Sequence, residues 1–167
     1  MDGADFRSSE SVSDYEDLSG MALHPTQVAV LIGAGGECVF TWVTRTGDPM
    51  GVVVSYLYRD GKFWTTSLTS RARIKALASR SQSTIVFNDA GRSATFKGRS
   101  VLHRPGDPDW DAVKSWFYAA LVGTDQRPDD PVAQQAERSL DTPDRVIVET
   151  IANLIVSFDF NKLRPGT

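Results

Sequence analysis

The sequence has few of the residues that build disulfide frameworks and metal centres. A single cysteine, Cys38, leaves no partner for an internal disulfide bond and excludes a multi-cysteine zinc site. The two histidines, His24 and His103, are too few for a histidine-rich metal centre. These absences argue against a disulfide-stabilised secreted scaffold and against a zinc enzyme.

Long apolar runs are also missing. The run Val28–Ile32 has only five residues, whereas a membrane-spanning helix needs about 20. The first residues are acidic and serine-rich, which does not fit the basic and apolar pattern of a secretory signal peptide. The sequence therefore predicts a soluble cytoplasmic protein that has no membrane partner.

The remaining composition is that of an ordinary globular chain of 167 residues, with 41% hydrophobic and 23% charged side chains. Residues 1–20 differ because they hold six acidic residues, one basic residue and five serines. Such a segment buries too little apolar surface to offset its ordering entropy. We therefore predict a disordered acidic tail over residues 1–20 and one folded domain over residues 21–167.

Positive charge is concentrated in the middle of the chain. Outside the tail, 17 basic residues face 15 acidic ones, but between Arg71 and Arg104 eight basic residues accompany a single acid, Asp89. This cluster favours a negatively charged ligand, for which phosphate is the commonest biological form. A solvated basic face is the alternative. The overall pI of about 5.3 argues against a nucleic-acid partner.

Hydrophobic periodicity and turn signals predict the order of the helices and strands. Asp60-Gly61 and Ala90-Gly91 are typical of tight hairpin turns. The sequence predicts one helix over Pro25–Ile32, a second from a cap at Thr69 or Ser70 to about Arg80, and a third over Asp107–Val122 with a cap at Asp107 or Asp109. The predicted strands are Cys38–Arg45, Met50–Arg59, Lys62–Leu68, Thr84–Asn88, Ser93–His103, Val146–Thr150 and Leu154–Phe160. Residues 123–143 are predicted to be an irregular or partly helical excursion.

This order predicts a mainly β fold. The connections between successive strands are too short for parallel crossovers, so the strands pair antiparallel. Closing such strands into a barrel leaves the fewest exposed edges. We therefore expect a small antiparallel β-barrel with peripheral helices.

The segment Val28–Gly36 offers a competing interpretation, as a strand that enters a dinucleotide-binding turn. The fingerprint requires Gly or Ala where this chain has Cys38, and a helix after it. Val39–Thr44 instead has the composition of a strand. We therefore interpret the glycines of Gly33–Gly36 as the end of a helix.

The most informative segment combines hydroxyl groups with basic residues. Phe63–Ser70 is rich in Thr and Ser, and Arg71, Arg73 and Lys75 follow in the first turns of a predicted helix. Helix N-termini, hydroxyl groups and guanidinium groups all bind phosphate oxygens. Helical spacing places Arg71 and Lys75 on one face and Arg73 elsewhere, so one phosphate would not take all three. A capped surface helix with solvated bases is the alternative.

This segment, together with Gly51–Tyr56 and Asp60-Gly61 before it, resembles the pyridoxamine-phosphate-oxidase-like group. It is closer to the flavin/deazaflavin oxidoreductase branch of that group. The group shows, in order, an x-Gly-x-Pro turn, an Asp-Gly hairpin, a strand ending in Thr-Thr and a Ser-x-(Arg/Lys)-x-(Arg/Lys)-x-x-Leu helix. The corresponding segments here are Thr44–Pro49, Asp60-Gly61, Trp64–Thr66 and Ser70–Leu77. The closing strands are similar too, so the resemblance spans about Pro25 to Leu163.

The resemblance implies a six-stranded antiparallel split β-barrel, in which a homodimer binds FMN or the deazaflavin coenzyme F-420 in a cleft at its interface. The family's chemistry is hydride transfer to or from a small organic substrate, with the protein supplying binding and orientation. No catalytic side chain and no metal ligand follow from the motif. The residues that match the family's cofactor-binding positions are Arg71, Arg73 and Lys75 for the phosphate, Thr65, Thr66 and Ser70 beside them, and Val54, Ser55 and Tyr56 around the ring.

Two departures from the family pattern limit what is implied. Ser79–Gln82 stands where the helix exit of the group reads Asp-Pro, and the Arg-x-His segment of true pyridoxamine-phosphate oxidases is missing. The missing segment argues against oxidation of that vitamer. A non-enzymatic barrel that holds FMN, haem or another tetrapyrrole is the alternative function. Among other residues, His103 is expected at the protein surface.

Overall fold

The computed structural model describes residues 19–33, 35–123 and 131–163, apart from the side chains of Ala133 and Ala136. Residues 1–18 of the predicted acidic tail lie outside these ranges, as do residues 124–130 of the predicted excursion. Ser19 and Gly20, the last residues of that predicted tail, belong to a short 3-10 helix, Ser19–Met21. None of the helices in the described ranges is long and apolar enough to span a membrane.

The described residues form six strands and four α-helices. The strands are β1 (Gly35–Val43), β2 (Pro49–Arg59), β3 (Lys62–Leu68), β4 (Gln82–Asp89), β5 (Arg92–His103) and β6 (Arg145–Asp159). The helices are α1 (Pro25–Ile32), α2 (Ala72–Ser79), α3 (Trp110–Leu121) and α4 (Pro131–Leu140). A 3-10 helix, Phe160–Leu163, follows β6.

The strands close into an antiparallel barrel in the order β1-β2-β3-β6-β5-β4, with β4 pairing back to β1. This confirms the predicted six-stranded antiparallel barrel. Two of its hairpins depend on turns in which both central residues have positive φ, Asp60-Gly61 at 54° and 76° and Ala90-Gly91 at 46° and 81°. Such turns match the right-handed twist of the flanking strands.

The last strand differs from the prediction. The sequence predicted two β pieces, Val146–Thr150 and Leu154–Phe160, but β6 is one strand of 15 residues. It stays continuous because it pairs with β3 along its first half and with β5 along nearly its full length. The register between β5 and β6 shifts at Lys97/Gly98, where Asn153 is an extra residue on β6. Glycine is required at position 98 because a Cβ atom there would lie 2.0 Å from the Ile151 carbonyl oxygen.

The predicted cap residues of α2 are wrong, whereas Asp109 holds the predicted N-cap position of α3 without a capping bond from its side chain. Helix α2 starts only at Ala72, after Arg71, whose side chain makes no capping bond. The Asp109 side chain does not cap α3 but binds His103, and Asp107 accepts a hydrogen bond from the Arg104 N–H at 2.7 Å. The glycine run is also only partly a helix end, since Gly33 closes α1 with a positive φ of 54° but β1 starts at Gly35.

Aromatic side chains fill the interior of the barrel. Phe63 packs against Phe96 at 4.8 Å between ring centroids, and Phe87 lies 5.7 Å from Phe96 and 5.1 Å from Tyr56. These rings belong to a cluster whose members are almost fully buried. Because the interior is occupied by side chains, a ligand site must lie outside the barrel wall.

A second apolar cluster lies on the outer face of β3 and β6, where α3 packs against the barrel. It consists of Trp64 and Ile147 from the strands and Trp110, Val113, Phe117 and Tyr118 from the helix. Phe117 and Tyr118 are 0% and 1% exposed. This packing fixes the helix beside β2 and β3, where it borders one of the cavities described below.

Candidate cofactor site

The principal candidate site is a cavity of about 660 Å³ on the outside of the barrel, between β2, β3 and the start of α2. We call it the β2–β3 cleft. One wall is apolar and comes from β2. The other is polar and comes from the end of β3, the start of α2 and the first residue of β6. Its lining residues include Val52, Val53, Val54, Ser55, Thr66, Ser67, Arg71, Arg73 and Arg145.

The polar wall carries three guanidinium groups, those of Arg71, Arg73 and Arg145, and no carboxylate lines the cleft among the described residues. Arg73 donates a hydrogen bond to the Thr66 carbonyl oxygen at 3.1 Å, and Arg145 donates through Nε to the Leu140 carbonyl oxygen at 2.8 Å. These contacts hold the two side chains in place without neutralising them. Arg71 is exposed and the other two are half-buried, and three neighbouring positive charges with no carboxylate among them favour an anionic ligand.

The electrostatics of Arg73 point in the same direction. Burial lowers the pKa of Arg73, and the positive charge of Arg71 lowers it further. Both effects mean that the cationic form is held in an unfavourable environment. A phosphate group in the cleft would reverse the second effect by placing negative charge between the two side chains.

Ser67 adds a hydrogen-bonding group that lacks a partner. Its side chain lines the cleft and the residue is only 6% exposed, yet its Oγ atom has no hydrogen-bond partner among the described residues. Buried hydroxyl groups are normally satisfied, and an orphaned one costs stability. A ligand oxygen in the cleft would satisfy it.

The structure brings together several of the residues that the sequence singled out. Val54, Ser55, Thr66, Arg71 and Arg73 all line the cleft. The prediction that Arg73 points away from Arg71 is wrong. The reason is that Arg71 precedes the helix with ψ of 138°, an extended conformation, so helical spacing does not relate its side chain to those that follow.

Lys75, in contrast, does not line the cleft. It borders an adjoining cavity of about 410 Å³, which we call the Lys75 cavity. Arg45 and Arg80 also line that cavity, and it shares Trp42, Met50 and Ala72 with the cleft. The two cavities therefore form neighbouring basic surfaces on either side of the start of α2.

Three other predicted residues are not brought into the cleft. Thr65 is 2% exposed and lines none of the described cavities. Ser70 is exposed but is not among the lining residues. The Tyr56 hydroxyl donates a hydrogen bond to the Ile32 carbonyl oxygen, and burial raises the Tyr56 pKa to about 12. Its side chain therefore serves the barrel core.

Sequence reasoning missed Arg145 and the role of Ser67. Arg145 reaches the cleft because β6 pairs with β3 in a register that places it opposite Leu68. No local pattern around Arg145 indicates this neighbour, which lies far away in the sequence. Ser67 stood within the recognised run of hydroxyl groups, but only its burial distinguishes it from the residues around it.

A second cavity joins the other end of the cleft. It measures about 730 Å³ and lies between the start of β1, the middle of β2 and the C-terminal half of α3. Ser55 and Thr66 line both cavities, so the two spaces are contiguous. We call this space the α3 compartment. Its lining residues include Glu37, Leu57, Phe117, Ala120 and Leu121.

His103 is buried, at 5% exposed, which corrects the prediction that it lies at the surface. Its Nδ1 atom lies 2.8 Å from the Asp109 carboxylate and its Nε2 atom 2.9 Å from the Glu149 carboxylate. Lys62 forms an ion pair with the other Glu149 oxygen at 2.5 Å. These contacts tie the start of α3 to the barrel and lie outside the cleft.

Comparisons with known proteins give a consistent picture of the fold. No family model and no curated protein matches the sequence. A conserved hypothetical protein of Mycobacterium tuberculosis has a similar structure, with a TM-score of 0.70 at 15% identity over 88% of this chain and 92% of that one. A pyridoxamine 5'-phosphate oxidase-related, FMN binding protein of Nostoc punctiforme has a TM-score of 0.59 at 12% identity, over 85% and 87% of the two chains. An F420 reductase has a TM-score of 0.53 at 14% identity, over 77% and 94%.

The chain has the pyridoxamine 5'-phosphate oxidase-like split β-barrel fold. This confirms the fold class that the sequence resemblance implied. In the split barrel, the β2–β3 cleft and the α3 compartment lie on the outer wall, where the neighbouring strands also expose apolar side chains.

The outer wall of the split barrel carries a band of β-branched residues that crosses five strands. The strand registers place Val53 opposite Val39, Val39 opposite Val86, Val86 opposite Thr95, and Thr95 opposite Val156. Val53 is 65% exposed and Val156 is 58% exposed. Contiguous exposed apolar surface of this kind is typical of interaction sites. The band meets the β2–β3 cleft at Val53, which lines it.

Proposed function

We propose that this protein binds a phosphorylated flavin-type cofactor, FMN or the deazaflavin coenzyme, in the β2–β3 cleft and acts as an oxidoreductase on a small organic substrate. The observation that carries the proposal is the polar wall of the cleft, where three guanidinium groups and an unsatisfied hydroxyl surround a space that no described carboxylate enters. The fold is that of proteins that include an FMN binding protein and an F420 reductase.

The residues present fit such a cofactor. Arg71, Arg73 and Arg145 provide charged donors for a phosphate group, and Ser67 provides a further hydroxyl donor. The opposite wall comes from β2, where the exposed Val53 side chain provides apolar contact for a planar ring. The cleft therefore offers anion binding at one end and apolar contact along one side.

The bound cofactor would supply hydride transfer, and the chain would bind and orient it. Arg73, held by the Thr66 carbonyl oxygen, is pre-positioned for the phosphate, so little side-chain entropy is lost on binding. The Ser55 and Thr66 side chains lie where the cleft meets the α3 compartment and would face the reactive end of the ring. We assign no catalytic acid or base.

The Lys75 cavity provides a way to distinguish the two cofactors. The arm of FMN ends at its phosphate, whereas the arm of the deazaflavin coenzyme continues beyond its phosphate into carboxylate groups. Those carboxylates would reach Arg45, Lys75 and Arg80 in the adjoining cavity. We therefore expect Lys75→Gln to weaken binding of the deazaflavin coenzyme while leaving the FMN affinity nearly unchanged.

We further propose that two copies of the chain associate through the outer band. A symmetric pair would bury Val39, Val53 and Val156 from both copies, and it would border the cleft because Val53 belongs to both surfaces. The dimer is tested with Val156→Asp, which would place a buried charge in each half of the interface. Light scattering should report a dimer for the unmodified chain and a monomer for the variant, whereas an unmodified monomer would contradict this part of the proposal.

The competing function is a non-enzymatic protein that binds haem or another tetrapyrrole. The positions of the two histidines argue against a haem that is ligated by histidine. His103 is committed to Glu149 and Asp109, and His24 caps helix α1. Neither residue lines the cleft. The flavin-type interpretation requires no histidine, because its binding depends on the guanidinium wall.

Fluorescence titration of the purified protein with FMN, and separately with the deazaflavin coenzyme, tests the proposal. We expect one of the two cofactors to bind saturably. We also expect Arg71→Gln and Arg73→Gln each to weaken that binding. Hydride transfer is then assayed with the reduced cofactor and a panel of small organic acceptors. If neither cofactor binds, the proposed function is wrong. If one binds but no acceptor is reduced, the protein is a carrier rather than an enzyme.

A further inference from the structure

The α3 compartment differs chemically from the cleft that it adjoins. Leu57 from β2 and Phe117, Ala120 and Leu121 from α3 give it largely apolar walls. Phe117 is 0% exposed and held in the cluster beneath the helix, so this wall is rigid. The compartment is large enough for a bicyclic aromatic molecule, and a ligand in the cleft would not fill it, because only Ser55 and Thr66 are shared.

A single charged residue, Glu37, lines the compartment among the described residues. It is exposed and makes no ion pair or hydrogen bond through its side chain within the described ranges. The register places it opposite Ser55. The joined space therefore has opposite charges at its two ends, with guanidinium groups in the cleft and a carboxylate in the compartment.

We propose that the α3 compartment is the substrate site and that it selects a largely apolar substrate, neutral or positively charged, whose hydrogen-bond donor or ammonium group meets Glu37. This inference rests on the proposed function, since the compartment opens onto the end of the cleft where the ring would lie. An anionic molecule of the same shape would meet like charge at Glu37, whereas an ammonium group would meet opposite charge there. Glu37 is thus a specificity-determining residue.

The charge preference is tested with two probes that share one bicyclic ring, 1-naphthylmethylamine and 1-naphthoic acid, which carry opposite charges at pH 7. Dissociation constants are measured by NMR titration of the isotope-labelled protein loaded with its cofactor. We expect the amine to bind at least 5-fold more tightly than the acid. In Glu37→Gln, which keeps the size of the side chain, the two affinities should agree within about 2-fold.

The location is tested with a matched pair of variants on α3. Ala120→Trp would fill the compartment, whereas Ala112→Trp places the same ring at an exposed position of the same helix that lines no described cavity. We expect Ala120→Trp to weaken amine binding at least 10-fold and Ala112→Trp to leave it unchanged. Cofactor affinity should be the same in both variants, because neither residue lines the cleft.

The outcomes separate this inference from the proposed function. If the cofactor binds but the unmodified protein holds both probes equally, or if Glu37→Gln keeps the preference for the amine, the inference is overturned and the proposed function stands. Equal loss of amine binding in both tryptophan variants also overturns it, because the probe then does not enter the compartment. If neither FMN nor the deazaflavin coenzyme binds the unmodified chain, the proposed function itself fails.

Discussion

Replacing Arg73 by glutamine should separate ligand binding from folding stability. The substitution removes one charged donor from the wall of the cleft, and a hydrogen bond to a charged group contributes about 1.5–3 kcal/mol. The dissociation constant of the cofactor should therefore rise by roughly 10- to 150-fold. The variant also loses the hydrogen bond from the charged Arg73 side chain to the Thr66 carbonyl oxygen, which costs about 1.5 kcal/mol, the low end of the same range, because the bond is only half-buried. Burial and the positive charge of Arg71 both lower the Arg73 pKa, and removing the charge relieves both effects, which offsets part of that loss.

The free energy of unfolding without cofactor should therefore change by less than about 1 kcal/mol, although binding weakens strongly. Urea denaturation measures the first quantity and fluorescence titration the second. Arg138→Gln is the matched control, because Arg138 is an exposed residue of α4 that lines none of the described cavities and whose side chain binds Gln135. It should leave both quantities unchanged. A cofactor affinity that changes less than 3-fold in a folded Arg73→Gln protein would refute the guanidinium wall as the anion site.

Three further changes test other parts of the structure. Ser67→Ala should keep or raise the free energy of unfolding, since it removes an unsatisfied buried hydroxyl, and should weaken cofactor binding several-fold; a clear loss of stability would show that the hydroxyl is satisfied in solution. His103→Ala should lower the free energy of unfolding by about 2 kcal/mol, because the buried Glu149 carboxylate loses one hydrogen bond but keeps its ion pair with Lys62, while cofactor affinity stays within 2-fold. Stability should also fall as the pH rises from 9 towards 12, because burial raises the Cys38 pKa to about 12 and the unfolded chain releases its thiol proton first. Urea midpoints at pH 8, 9 and 10 should fall less steeply in Cys38→Ala; equal slopes would contradict the raised pKa.

The parts of the fold that depend on neighbouring residues were predictable. The Asp60-Gly61 and Ala90-Gly91 turns require positive φ, which few residues adopt easily, so their sequences indicated hairpins and the structure has them. Helix α1 starts at a proline and ends before a glycine, and its predicted bounds are confirmed. The motif that follows β3 likewise pointed to the segment that lines the cleft.

Errors arose where distant segments meet. The continuity of β6 depends on its two partner strands, so a local dip in β propensity near Asn153 did not break it. His103 is buried because α3 and β6 enclose it from positions far along the chain. The orientation of Arg71 depends on where α2 begins, and that start is set by the path of the chain leaving β3.

The sequence by itself determined the antiparallel strands, their tight turns and the basic segment after β3, because these follow from backbone preferences and from residues that are neighbours in the chain. Only the tertiary structure decided that Arg145 joins Arg71 and Arg73, that Lys75 borders a different cavity, and that Glu37 faces an apolar compartment. Closing the barrel fixes the registers between strands, and those registers set which charges share a cavity.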